Sequence, residues 1–209
     1  MSAKNSRHDS ARPLPEGRLD LGEGAWVELV SGWCLDERTL FTRLVAEMAW
    51  EERAIVLFGK PVLQPRLVAW AGERPYRYSG RTLPPKALPD SLADLRARVE
   101  GHAGQRFDHV LVNRYRDGRD SMGWHADAEP ELGPNPTIAS VSLGAPRRFV
   151  LRHAREKGRV LEAKLGRGAL LLMGGTSQHL YRHAVPKEAT AEGERINVTF
   201  RRILHDPRP

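Results

Sequence analysis

The sequence predicts a single α+β domain in which two helices brace one face of a sheet of short strands. Three observations carry this. A chain of 209 residues suits one domain with its own core, at roughly 100 to 200 residues per domain. Two segments of the first half place apolar residues at helical spacing. From residue 107 onward the texture changes to short apolar or alternating runs separated by Gly, Pro and Asp.

Residues 1–20 are polar, with Pro13 and Pro15, and lack the apolar middle segment of a secretory signal. A disordered lead-in is expected there, followed by one domain over residues 21–209. Trp26–Val30 reads as a strand. Asp36 is placed to cap a helix whose Leu40, Phe41, Leu44, Val45 and Met48 share a face. The Pro-rich run at residues 83–89 reads as a loop, and Asp90-Ser91 opens a second helix through Leu92, Leu95 and Val99, ending near Gly101. The runs His109–Tyr115, Thr137–Leu143, Arg147–Arg152, Ala169–Met173 and Arg195–Ile203 then supply the strands of a β-sandwich or barrel. No internal repeat or linker divides the chain.

Composition narrows the class. The hydrophobic fraction is 40%, with five Trp, and no apolar run approaches the roughly 18 to 20 residues of a membrane-spanning helix. A soluble, intracellular protein with no membrane partner is expected. The lone cysteine, Cys34, excludes an intrachain disulfide framework and any cysteine-rich metal site, and is expected to be a small buried apolar group. The net charge is +7, from 33 Lys and Arg against 26 Asp and Glu. Most of the cations are Arg, which grips phosphate with two parallel hydrogen bonds, so a polyanionic partner is expected.

The sharpest chemical feature is Gly123-Trp124-His125-Ala126-Asp127. On an extended segment, residues two apart point to the same side, so an imidazole and a carboxylate can converge on one ion. A third ligand would come from His153, His179 or His183. Two His and one carboxylate leave three coordination positions open, the arrangement of non-haem Fe(II) oxygenases. A closed zinc site wants a fourth protein ligand, which His179 could supply, so zinc stays open on spacing alone. Downstream, Arg195-Ile196-Asn197-Val198-Thr199-Phe200-Arg201 alternates, placing Arg195, Asn197, Thr199 and Arg201 on one face. A solvated sheet face alternates in the same way. Two guanidiniums on one face after a metal triad also suit a dicarboxylate, one Arg for each carboxylate.

With these residues assembled, the sequence resembles the AlkB family over roughly residues 55 to 203. Asn113-Arg-Tyr115-Arg-Asp-Gly118, Gly123-x-His125-x-Asp127, Ile138–Gly144, His183-x-Val-Pro186 and Arg195-x-Asn197-x-Thr199-Phe-Arg201 occur in the family's order. The resemblance implies a double-stranded β-helix, or jelly roll, at about residues 105–203. The N-terminal helices and a nucleotide-recognition lid at about 55–90 would precede it. It implies that His125, Asp127 and His183 are the catalytic iron ligands. Asn113, Tyr115, Arg195, Asn197 and Arg201 match the 2-oxoglutarate contacts, with Thr199 on the same face.

By the same resemblance, Leu57-Phe58-Gly59-Lys60 is a finger that fills the gap left by a flipped base, with Phe58 as the wedge; a core Phe at a strand end is the plain alternative. Tyr76, Tyr78 and Ser79 would line the base pocket, and the two aromatics at i, i+2 would offer stacking surface. Glu129 stands where the family places an acidic base-reading residue, whereas Ala128 departs from the Asp that several relatives carry. No function attaches to Gly174–Gln178.

The implied reaction is oxidative removal of N-linked alkyl groups from bases such as 1-methyladenine and 3-methylcytosine, with Fe(II), 2-oxoglutarate and O2, releasing aldehyde, succinate and CO2. The implied partner is alkylated DNA, with RNA as a second possibility. A monomer is expected, cytoplasmic or nucleoid-associated in a bacterium and nuclear in a eukaryote. A related dioxygenase acting on RNA or protein side chains is one alternative. A non-enzymatic nucleic-acid-binding jelly roll is another; it would explain the charge but not a metal triad followed by the Arg195/Arg201 pair.

Overall fold

A computed structural model describes residues 11–57, 60–78, 81–156 and 158–205. In chain order the strands β1 (Arg12–Pro13), β2 (Gly17–Gly22) and β3 (Ala25–Val30) lead to helix α1 (Glu37–Glu47). Strands β4 (Glu51–Leu57), β5 (Lys60–Gly72), β6 (Tyr76–Tyr78) and β7 (Arg81–Leu83) precede helix α2 (Asp90–Ala103). Then come β8 (His109–Tyr115), β9 (Met122–His125), β10 (Ile138–Gly144), β11 (Arg147–His153), β12 (Val160–Leu165) and β13 (Ala169–Gly175). A short helix α3 (Ser177–Leu180) joins β13 to β14 (Tyr181–Val185), and β15 (Arg195–Arg201) closes the fold.

These strands form two sheets facing each other, with β6 and β7 as a separate hairpin. The larger sheet runs β2-β3-β13-β10-β15-β8-β5-β4 and the smaller β1-β12-β11-β14-β9. One face of the larger sheet, through Ala69, Val110, Val112, Val141, Leu172 and Val198, packs on Leu40 and Leu44 of α1 and Leu92, Leu95 and Val99 of α2. Its other face, through Leu111, Tyr115, Leu171 and Met173, packs on Phe149, Leu151, Leu165, Tyr181 and Val185 around the smaller sheet. A central strand covered on both sides by apolar packing reads as a nearly continuous apolar run, which is why β13 shows little alternation. Each fully buried Leu, Val or Phe contributes roughly 1.5 to 3 kcal/mol. The fold is therefore a jelly roll with two bracing helices, as expected.

Local details differ in instructive ways. Asp36 occupies the N-cap of α1 but makes no capping hydrogen bond; its carboxylate accepts from Arg98 at 2.8 Å and from the Cys34 thiol instead. Cys34 is buried as expected. Helix α2 ends at Gly104, whose φ of 66° is the left-handed turn a glycine adopts without strain.

Two expected boundaries are overturned. The lead-in predicted to be disordered through residue 20 pairs from Arg12 onward: β1 lies parallel on β12, and β2 is antiparallel to β3. Leu14 and Leu21 are buried there, because the Arg18-Leu19-Asp20-Leu21 alternation supplies a strand. Residues 1–10 lie outside the described residues. The sandwich is also not confined to residues 105–203, since β2 to β5 extend the larger sheet on both sides. Much of the segment expected to be a lid is thus sheet: β5 pairs with β8 from Leu67 to Gly72. The free-standing part is the β6–β7 hairpin.

Candidate active site

Three side chains converge between the two sheets. His125 and His183 face each other across the β9–β14 pair, which puts their ring centroids 4.1 Å apart. Asp127 follows β9 by two residues and is buried, with Oδ2 3.9 Å from His183 Nε2. One potential ligand atom from each of the three lies within 4.8 Å of the others. His125 Nδ1 lies 2.9 Å from the Gly123 carbonyl; a carbonyl only accepts, so Nδ1 carries the proton and Nε2 presents a lone pair.

The electrostatics favour a metal. Burial, reinforced by the charge of His125, pushes His183 down to about 3, and burial lowers His125 as well. Both imidazoles are therefore neutral at ordinary pH, with no proton to expel before ligation. Asp127 is held down at about 2, because burial, which alone would raise it, is outweighed by the charge and the hydrogen bond of Arg201. Arg201 Nη2 donates to Asp127 Oδ1 at 2.7 Å, which leaves Oδ2 toward His183.

The alternating face of β15 is buried against the smaller sheet and not solvated. Arg195 and Arg201 are 1% and 2% exposed, yet Arg195 Nη1 and Arg201 Nε and Nη1 have no hydrogen-bond partner among the described residues. Buried guanidinium N–H groups without acceptors cost too much to be accidental. They border the same cavity as the triad, together with Asn113, Tyr115, Asn197 and Thr199. The donor set fits a hard divalent ion with three open positions, and the orphaned Arg edges fit an anionic cosubstrate beside it.

Several residues that hold this arrangement were not foreseen. Gln178 Oε1 accepts the Asp127 backbone N–H at 2.9 Å, and its Nε2 reaches Met173 Sδ. Ser142 Oγ and Asn197 Oδ1 each accept from Arg195 Nη2 at 2.7 Å. Asn197 also accepts from Ser140 and Ser142 and donates to Thr199 Oγ1, so it aims Arg195 more than it offers a free group. Arg66 donates to Asn113 Oδ1 at 2.9 Å, leaving the Asn113 amide NH2 as its remaining edge. Arg147, fully buried, donates to the carbonyls of Asp117, Asp120 and Pro186 and ties two loops together.

The remaining sequence candidates separate. Phe58, Gly59 and Ser79 lie outside the described residues; Tyr78 is described only as backbone of β6, and Lys60 opens β5 and is exposed. Tyr76 is buried at 0% exposure, its ring 4.5 Å from that of His109 and with the Arg201 guanidinium 5.2 Å away. The stacking surface expected of Tyr76 is therefore already covered, and its hydroxyl is directed at the Glu129 carboxyl. Burial and the neighbouring Asp127 raise the Glu129 carboxyl to about 7.

The other two candidate third ligands are elsewhere. His179 packs its imidazole on the Pro134 carbonyl. His153 groups with Glu23 and Glu156, but its Nδ1 accepts the backbone N–H groups of Arg155 and Glu156, so the proton sits on Nε2 and no lone pair is left for a metal.

The pattern of the 2OG-Fe(II) oxygenase superfamily matches residues 36–201. This chain is a 2OG-Fe(II) oxygenase. Within that superfamily it belongs to the AlkB family. It is 37% identical over 217 residues to mouse (Mus musculus) DNA oxidative demethylase ALKBH2, covering 92% of this chain and 90% of that protein. It is 38% identical over 205 residues to rat (Rattus norvegicus) alpha-ketoglutarate-dependent dioxygenase alkB homolog 3, covering 93% of this chain and 65% of the rat protein. The chain thus spans about two thirds of the length of that relative. Among solved structures, OsALKBH1 superposes with a TM-score of 0.61 at 17% identity, covering 88% of this chain and 99% of that one. A Burkholderia pseudomallei oxidoreductase of the 2OG-Fe(II) oxygenase family gives 0.58 at 16%, covering 86% of each. At such identities these two matches speak to the fold alone.

Proposed function

We propose that this AlkB-family protein removes N-linked alkyl groups from bases in DNA by oxidising the alkyl carbon. The observation that carries the chemistry is the convergence of His125, Asp127 and His183 in one buried cavity with the unpartnered guanidinium edges of Arg195 and Arg201. The likeness to a DNA oxidative demethylase over nearly its whole length supports the substrate class.

In this reading His125, His183 and Asp127 would hold Fe(II). Iron with 2-oxoglutarate and O2 supplies a two-electron oxidation of the alkyl C–H bond, yielding succinate and CO2. Arg201 fixes Asp127 in one orientation, and its unpartnered Nε and Nη1 would meet one carboxylate of the cosubstrate. Arg195, aimed by Ser142 and Asn197, takes the distal carboxylate beside Tyr115. Asn113, held by Arg66, and Thr199 complete the polar wall. Tyr76 and Glu129 are read as offering a hydroxyl and a carboxyl to the edge of a flipped base, and the sequence assigns Phe58, Gly59, Lys60, Tyr78 and Ser79 to base recognition with them. A base inside a duplex hides its alkylated edge in the pair, so it must leave the stack to react.

We further propose that the enzyme acts as a monomer where the DNA is, in the nucleoid of a bacterium or the nucleus of a eukaryote. Among the described residues no helix is long and apolar enough to cross a membrane.

The test loads the protein anaerobically with Fe(II) and supplies 2-oxoglutarate, air and oligonucleotides carrying 1-methyladenine or 3-methylcytosine. Loss of the methyl mass with stoichiometric succinate is expected. Bound iron without turnover of any such oligonucleotide would overturn the assignment.

A further inference from the structure

Outside the cavity, the outer face of the smaller sheet carries an exposed aromatic beside cations that lack acidic partners. Trp124 is 41% exposed. It sits on β9, the edge strand of that sheet, one residue before His125, whose imidazole points the opposite way into the cavity. Moving inward over β14, β11 and the following turn, the outward positions are Arg182, Arg148, Arg152 and Arg155. Arg152 carries its guanidinium over the Trp124 ring, 4.0 Å from the centroid.

The charges on this face do not balance. Glu162 is taken by Arg148 at 2.7 Å, and Glu156 by Arg159 at 3.1 Å. Arg152, Arg155 and Arg182 have no carboxylate within ion-pair distance among the described residues. Three uncompensated guanidiniums beside an open indole call for a ligand with both negative charge and flat apolar faces. A nucleic-acid strand has both, whereas an acidic peptide offers only the first. Two strand spacings of about 4.8 Å separate β9 from β11, so the patch spans roughly 10 Å. Phosphates of one stacked strand recur about every 3.4 Å, so two or three of them fit.

We propose that this face binds the sugar–phosphate backbone of the strand that carries the modified base, with Arg152, Arg155 and Arg182 on phosphates and Trp124 stacking on a neighbouring base. This rests on the base-dealkylation assignment above. Arg152 then serves as a placeholder on the indole that a base displaces.

The test is binding of a fluorescein-labelled unmodified 15-mer single strand, by anisotropy, to wild type, Trp124→Ala and the pair Arg152→Ala/Arg182→Ala. Arg43→Ala on α1 serves as a control of equal charge change per site on another face of the protein. Trp124→Ala should weaken binding roughly fivefold or more, as removal of a stacking partner does. The Arg pair should flatten the slope of log K against log salt by about 0.7 per arginine, and Arg43→Ala should do neither. Melting curves verify that each variant is folded.

Unchanged affinity and salt slope in folded Trp124 and Arg variants would overturn the proposal, as would an equal effect of Arg43→Ala. Displacement of the 15-mer by poly-glutamate at equal charge, as readily as by unlabelled strand, would reassign the face to acidic protein and overturn it too. If wild type removes methyl groups from oligonucleotides while these variants bind like wild type, the surface assignment alone fails; if wild type neither binds nor turns over oligonucleotides, the base-dealkylation assignment fails with it.

Discussion

Arg201 and Asp127 form a buried ion pair, Nη2 to Oδ1 at 2.7 Å, in which the carboxylate that faces His183 is also the counter-charge of an otherwise isolated guanidinium. One residue therefore serves metal and protein at once. Removing one partner of such a pair leaves the other charge buried and uncompensated, at a cost of about 3 to 5 kcal/mol. Asp127→Ala should abolish turnover and metal binding, and should also lower the melting temperature of the metal-free protein by at least about 6 °C, at 2 to 4 °C per kcal/mol for a chain of this size. Calorimetry on metal-free wild type and variant checks this; equal melting temperatures would mean the pair does not contribute as described.

Gln178 makes a second, quieter demand. Asp127 lies beyond the end of β9, where no ladder partner takes its N–H, and the Gln178 carbonyl oxygen fills that role. Gln178→Leu should raise the Fe(II) dissociation constant about 10- to 100-fold, the range typical of groups that orient metal ligands. Gln178→Glu retains an acceptor and should restore part of that affinity. Anaerobic titration of Fe(II) into the metal-free variants measures both, and identical affinities for Leu and wild type would remove Gln178 from the site.

At the far end of β15, Arg195 has Nη2 committed to Ser142 and Asn197, and Nη1 has no hydrogen-bond partner among the described residues. Arg195→Met should raise KM for 2-oxoglutarate at least thirtyfold, since truncating one partner of a buried charge pair costs 2 kcal/mol or more. Arg195→Lys should recover little, because a point charge cannot replace the planar fork. Ser142→Ala should raise KM only about three- to tenfold, the worth of one hydrogen bond of about 1 kcal/mol. Steady-state succinate assays at varied 2-oxoglutarate give the three values, and Fe(II) affinity should not follow them.

What was legible in the sequence follows from what has a local signature. His125 and Asp127 are two apart on a strand, and the β15 alternation is a period of two, so both could be seen in the chain. Whether that face met water or the other sheet could not, because burial is decided by packing partners far away in sequence. Gln178 and Asp127 are 51 residues apart, and Arg66 and Asn113 are 47 apart. A carboxamide reaching a backbone N–H, or a guanidinium reaching an amide, leaves no periodicity to read. The strand at Gly17–Gly22 was missed because its polar, Pro-flanked composition resembles a disordered tail, although the Leu19 and Leu21 alternation was there. His109 looked like an ordinary strand residue, yet it lies against Tyr76 at the back of the site.

His109 gives the protein an acid sensitivity that can be tested apart from the metal ligands. Both its ring nitrogens are buried without a partner among the described residues, and burial, helped by the charge of Arg201, pushes it down to about 3. The unfolded chain has an ordinary histidine near 6.5. Between these values the unfolded state takes up a proton that the folded state refuses, so stability is lost as pH falls from about 6.5 toward 3, by up to about 1.4 kcal/mol per pH unit. His109→Phe keeps a ring beside Tyr76 and removes the proton site, so the variant should lose less stability than wild type over this window. His183 titrates in the same sense in both proteins, so the difference between them isolates His109. Urea midpoints at pH 7 and pH 4.5 measure it, and an equal drop in both proteins would show that His109 is not held neutral by the fold.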